Sequence, residues 1–265
     1  MKLTLAISNQ KGGVGKTTTA INLAACLAIA DQKVLIIDID PQANATSGLG
    51  FRPTNGDSVY DALLTGSITP SSIKKTAVES LYLLPSDINL IGAEIELISE
   101  EGRHYRLKKV LNNLDMEFDY IIIDCPPSLG LLTINSLTAA DSVIIPLQTE
   151  FYALEGLRLL TNTIEMIRGS YNPGLEVEGV LFTMYDKRTS LGTQVVKEVQ
   201  DNYQGNVFNT IIPRNIRLSE APSHGLPISL YDARSKGSDA YIDFARELIL
   251  RCKEKYNGRK TVGSV

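Results

Sequence analysis

The segment KGGVGKTT, residues 11–18, packs three glycines, two lysines and two threonines into eight positions. Gly12, Gly13 and Gly15 carry no Cβ, so the backbone there can curl and aim several N–H groups at one anion. An ammonium at Lys16 reaches the β- and γ-phosphates of a nucleotide held in such a loop, and a hydroxyl at Thr17 ligates Mg²⁺. The usual pattern, GxxxxGK[ST], is broken here because Gln10 stands where its first glycine belongs. A dinucleotide fingerprint, GxGxxG, also fails. Lys11 has no part in this chemistry, and the residue types alone leave it a solvated loop lysine.

Phosphate chemistry also needs carboxylates for a metal and for a positioned water. VLIIDIDPQ ends an apolar run with Asp38 and Asp40, two apart and so on one side of an extended segment. DYIIIDCPP ends another with Asp124. Carboxylates at the C-terminal ends of parallel strands face the ligand crevice. Asp124 is therefore the candidate to hold magnesium, directly or through water. Asp38 and Asp40 read equally well as turn residues before Pro41. His104 and His224 stand at no ligand or triad spacing. Cys26, Cys125 and Cys252 form no CxxC pair, which suits free thiols in a reducing compartment.

These groups must be carried by regular elements, and the sequence supplies them. LTLAIS, VLIIDID, LYLLP, DYIIID, SVIIPL, GVLFTM and VFNTII are short, β-rich and mostly continuous in apolar residues, as strands buried on both faces are. Amphipathic stretches at 16–30, 88–114, 129–140, 150–168, 190–204 and 235–254 lie between them. The alternation predicts an α/β fold, a mostly parallel twisted sheet flanked by helices, in one domain. Strand, glycine loop and helix follow one another from Leu3 to Ala30, the context a phosphate loop requires. Residues 52–80 are polar and turn-rich and read as a surface excursion. The domain is expected to span 1–256, with 257–265 a disordered tail.

With 265 residues and 43% apolar composition the chain can bury a sizeable core. No apolar run reaches the roughly 20 residues of a membrane helix, and no signal-peptide pattern opens it. A cytoplasmic location is expected. The net charge of −4 argues against indiscriminate nucleic-acid binding by the chain as a whole. The charge is uneven, however: residues 183–265 hold 13 Lys and Arg against 9 Asp and Glu, and the first 182 hold 13 against 21. That asymmetry suits an anion-binding face in the last third.

KGGVGKTT resembles the deviant Walker A box of the ParA/MinD ATPases. DIDPQANATSGLGF, DYIIIDCPPSLGLLTINSL, TMYDKRTSLGTQV and PRNIRLSEAPSHGLPI resemble the ParA/Soj branch, which partitions chromosomes and plasmids. The matches run from residue 2 to about 250. The resemblance implies an ATPase that uses ATP and Mg²⁺, with nucleotide contacts from Lys11, Gly12, Gly13, Val14, Gly15, Lys16, Thr17 and Thr18. It implies that Lys11 crosses a homodimer interface to the partner's phosphates. Asp40 becomes the residue near the attacking water, and Asp38 stands beside a magnesium site built on Thr17 and Asp124. Pro213 and Asn215 become contacts to the adenine base, and Arg188 and Arg217 contacts to DNA.

The same resemblance implies nonspecific binding of double-stranded DNA by the ATP dimer, stimulation by a ParB/Spo0J-type centromere-binding protein, and association with the nucleoid. A MinD-like membrane-cycling ATPase is the first alternative. It needs an amphipathic C-terminus, whereas the apolar residues at 244, 248 and 249 fit core packing. A nitrogenase-reductase-like protein would need cluster cysteines that this spacing lacks. A ligase or amidotransferase on the same loop is disfavoured by the arginine-bearing segments.

Overall fold

The computed structural model describes residues 2–52 and 57–262, with side chains as far as Lys255. The chain runs β1 (Leu3–Ile7), α1 (Lys16–Ile29), β2 (Val34–Asp38), α2 (Asn44–Gly48), α3 (Val59–Thr65), β3 (Lys74–Lys75), β4 (Leu81–Leu84), α4 (Leu90–Glu96) and α5 (Arg106–Asn112). It continues β5 (Tyr120–Asp124), α6 (Leu131–Ala139), β6 (Ser142–Gln148), α7 (Ala153–Ser170), β7 (Glu176–Tyr185), α8 (Ser190–Asn202) and β8 (Val207–Pro213). Three helices end it: α9 (Ile216–Glu220), α10 (Ile228–Tyr231) and α11 (Lys236–Val262).

One sheet gathers the strands in the order β3-β4-β2-β5-β1-β6-β7-β8, parallel except where β3 meets β4. Alternate residues face opposite layers. Leu35, Ile37, Ile121, Ile123, Val143 and Ile145 point to a core shared with α3, α5, α6 and α7. Leu5, Ile7, Ile36, Ile122 and Ile144 point to a second core shared with α1 and α11. Both faces are covered, which explains why these strands read as unbroken apolar runs. From β1 the chain moves outward to β2 on one side, and β6 lies on the other. The crevice at such a reversal, outside the carboxyl ends of the strands, is where open α/β sheets bind ligands. The phosphate loop, Asp38 and Asp124 all stand there.

Two expectations need correction. Residues 52–80 are not merely an excursion: they hold α3 and the edge strand β3. The Ser58 N–H donates to Asp61 at 3.0 Å, closing the first turn of α3. The stretch 88–114 is broken, because Gly102 takes a left-handed φ of 70° between α4 and α5. At the C-terminus α11 runs to Val262. Residues 263–265 lie outside the described residues.

Candidate nucleotide site

The phosphate loop leaves β1 at the centre of the sheet and is tied down at both ends. Asn9, buried, donates from Nδ2 to the Pro146 carbonyl at 2.8 Å and accepts the Lys11 N–H at 3.0 Å. Gly13 and Gly15 adopt φ of 74° and 86°, which a side chain would strain. The Val14 carbonyl accepts the Thr183 hydroxyl at 2.8 Å, so the end of β7 supports the loop from below. α1 starts at Lys16 with no carboxylate in its first turn. Its positive end is thus left for an external anion. Lys16 is buried, and its Nζ donates to the Lys11 carbonyl at 3.0 Å. Burial lowers its pKa, and the charges of Asp124 and Asp40 oppose that shift.

Asp38 and Asp124 are register partners at the ends of β2 and β5, and both are fully buried. Burial raises the pKa of each. The Thr46 N–H and hydroxyl, both at 2.7 Å from Asp38 Oδ2, work against that rise. Asp124 has no such support. Neither of its oxygens makes a hydrogen bond, although the Thr17 hydroxyl and the Lys16 ammonium stand close enough to favour its charged form. Asp40, mostly buried, accepts the Gln42 N–H at 3.0 Å.

A cleft of about 600 Å³ opens over the loop. Gly12, Gly13, Gly15, Lys16, Thr17 and Thr18 floor it, with Asp40 on its wall. Its apolar side is formed by Ile21, Met184, Pro222 and Leu226. Pro213 and Asn215, expected at the base, are not among the lining residues. Pro213 pairs with Tyr185 across β7–β8 and lines a separate hollow with Lys236 and Asp243. Asn215 caps α9, accepting the Arg217 N–H at 2.8 Å. Pro222 and Leu226, further along the chain, stand on the apolar side of the cleft.

Arg188 and Arg217 follow the ends of the neighbouring strands β7 and β8, and both are exposed. Each is already paired. Arg188 forks onto Asp186, with Nη2 to Oδ2 at 2.6 Å. Arg217 meets Glu220 at 2.9 Å and Asp232 at 3.4 Å. Lys11 extends from the loop rim and forms an ion pair with Glu150.

A family model described as an AAA domain matches residues 2–177. Sporulation initiation inhibitor protein Soj of Bacillus subtilis is 56% identical, covering 92% of this chain and 97% of its own. Chromosome partitioning protein ParA of Myxococcus xanthus is 52% identical, covering 97% and 91%. The chain belongs to the ParA/Soj family of chromosome-partitioning ATPases. A solved structure from Mycobacterium smegmatis, described as cobyrinic acid a,c-diamide synthase with ADP and magnesium, has a TM-score of 0.84 at 41% identity over 96% of both chains.

The site of this ParA/Soj chain suits a magnesium nucleotide. Asp124 is a buried carboxylate with both oxygens unsatisfied, beside the hydroxyl of Thr17. An unpaired buried carboxylate is costly, and a cation relieves it. Magnesium is usually held by one or two carboxylates completed by phosphates and water, a role that Asp124 and Thr17 fit. In this ParA/Soj chain Asn9, Thr46, Ser86 and Thr183 also shape the site. Their signal is absent from residue spacing, because each acts through a contact made only by the tertiary fold.

Proposed function

We propose that the protein binds ATP and Mg²⁺ in the cleft, hydrolyses ATP to ADP and phosphate, and couples that cycle to DNA partitioning as an ATP-bound homodimer. The observation that carries the reading is the orphaned Asp124 carboxylate beside Thr17 and Lys16, at the uncompensated N-terminus of α1. Lys16 would neutralise the β- and γ-phosphates, Thr17 and Asp124 would hold the magnesium, and Asp40 would orient the attacking water. Magnesium supplies charge neutralisation between the phosphates. Lys11 stands at the rim of the loop with its side chain half exposed. In the dimer it would supply the positive charge that an arginine finger supplies elsewhere.

The dimer would bring two copies of Arg188 and Arg217 together as a surface for nonspecific double-stranded DNA. Contacts to phosphates carry no sequence information and weaken with salt. A ParB/Spo0J-type protein would stimulate hydrolysis and release the dimer from the nucleoid. The B. subtilis and M. xanthus relatives are partitioning or sporulation proteins by name and are more similar in sequence than the M. smegmatis synthase structure. A membrane-cycling role is disfavoured because Phe244 and Leu248 of α11 are fully buried against the core. Among the described residues no helix is long and apolar enough to cross a membrane.

DNA binding with ATP, with ADP and without nucleotide tests the reading on wild type, Lys16→Ala, Asp40→Ala and Arg217→Ala. ATP-dependent binding is expected for wild type and is expected to persist in Asp40→Ala, which cannot turn over. Lys16→Ala should lose nucleotide and DNA together, and Arg217→Ala should lose DNA while keeping nucleotide. Normal turnover by Asp40→Ala would remove its assigned role.

A further inference from the structure

The turn after β2 carries both acidic residues of the site, and two buried hydroxyls hold it. Thr46 is fully buried on α2, and Ser86, just past β4, is 1% exposed. The Thr46 N–H and hydroxyl both donate to Asp38 Oδ2. The hydroxyl oxygen in turn accepts the Ser86 N–H at 2.9 Å. Ser86 then gives its own hydroxyl proton to the Asp40 carbonyl at 2.8 Å. The Asp40 N–H closes the ring on Asp38 Oδ1 at 3.2 Å. Donation starts from Ser86 along both arms and converges on Asp38, whose ionised carboxylate only accepts.

We propose that Thr46 and Ser86 are positioning residues for hydrolysis, fixing the orientation of Asp38 and the backbone that carries Asp40. The proposal rests on the ATPase reading above. Two short donors saturate Asp38 Oδ2 and leave that side chain one orientation. The Asp40 carboxylate is held only by the Gln42 N–H, so the anchored backbone decides where it points. Neither hydroxyl lines the cleft. Their effect must therefore pass through the two aspartates. A catalytic group displaced by even a small distance loses much of its rate advantage.

The test uses the full-length protein with DNA present and compares Thr46→Val, Thr46→Ser, Ser86→Ala and the double variant Thr46→Val/Ser86→Ala. Valine keeps the shape of threonine but removes the donor to Asp38 and the acceptor for Ser86. The expected result is a fall in kcat of about ten-fold or more for Thr46→Val. KM for ATP and the affinity for a fluorescent ATP analogue should stay near wild type. Thr46→Ser should restore kcat, and the double variant should be no worse than its poorer parent, because the two residues act as one chain. If Thr46→Val does not fold, Ser86→Ala carries the test, since it removes only the bond to the Asp40 carbonyl. Wild-type kcat in folded Thr46→Val and Ser86→Ala would overturn the proposal. So would a loss that serine fails to rescue and that follows thermal stability. A wild-type protein that failed to hydrolyse ATP would instead refute the ATPase reading.

Discussion

Asp38 and Asp124 face each other across the β2–β5 pair, both fully buried at the carboxyl ends of their strands. Two carboxylates so placed repel when ionised, and burial penalises each charge. Asp38 is compensated by Thr46, whereas Asp124 is left without a hydrogen bond. The free subunit therefore holds a destabilising arrangement at the point where a cation would be useful.

Replacing Asp124 with Asn removes one of the two charges and adds donors that can meet Asp38. The nucleotide-free protein should gain about 1 kcal/mol or more, a rise in Tm of about 2–4 °C for a domain of this size. The same variant should lose magnesium-dependent ATP turnover, and added Mg-ATP should no longer raise its Tm as it does in wild type. Calorimetry with and without Mg-ATP checks both halves. A drop in the Tm of the nucleotide-free variant would show that Asp124 is satisfied in the free protein.

Gly12 and Gly225 make a contrasting pair. A Cβ on Gly225 would fall 2.5 Å from Gly50 Cα, on a backbone with φ of 67°. Gly225→Ala should therefore lose about 2 kcal/mol or more in urea unfolding, from backbone clash and strain together. A Cβ on Gly12 meets nothing within 4 Å inside the subunit. Gly12→Ala should leave monomer stability within about 0.5 kcal/mol of wild type. If two loops approach closely in the ATP dimer, the same substitution should impair dimerisation, as read by sedimentation of the Asp40→Ala background with ATP. Equal stability losses in both variants would contradict this account.

Lys11 and Glu150 form an exposed ion pair within one subunit. Exposed pairs of this kind are worth under about 1 kcal/mol, so Glu150→Gln should barely change stability. It should, however, release the Lys11 ammonium from a competing carboxylate. The expected outcome is dimerisation at lower ATP concentration, by up to about five-fold, measured by light scattering across an ATP titration. Weaker dimerisation would mean that Glu150 itself contributes to the interface.

The seven longer strands, the phosphate loop and the two strand-end aspartates were legible because each rests on local pattern: apolar runs, glycine spacing, a carboxylate closing a strand. β3 escaped because two lysines carry no periodicity and gain their strand geometry only from β4. α3 had a local signal, the Ser58–Asp61 spacing, hidden in a polar stretch. Thr46, Ser86 and Thr183 were not legible. Thr183 reaches Val14 and Ser86 reaches Thr46 across long sequence separations, and Thr46 meets Asp38 only through the way the chain folds back between β2 and α2. Asn215 illustrates the same limit: only the fold shows it used as a helix cap.

Arg217 is the arginine whose environment makes the sharpest prediction for DNA. It is half exposed on α9, bound to Glu220, and Glu220 also accepts the Tyr231 hydroxyl at 3.2 Å. The hydrogen bond from Arg217 holds the Glu220 carboxyl below its ordinary range. In the proposed DNA contact, phosphates would compete with that carboxylate and with Asp232. Arg217→Ala should weaken binding to any duplex in the presence of ATP and make the salt dependence shallower by about one unit of log–log slope per subunit. Glu220→Gln should act in the opposite direction, strengthening binding by no more than about five-fold because an exposed pair is weak. Fluorescence anisotropy on unrelated duplexes at several salt concentrations distinguishes the two. Weaker binding by Glu220→Gln, with the same loss on every sequence, would show that Glu220 orients the guanidinium toward phosphate rather than competing for it.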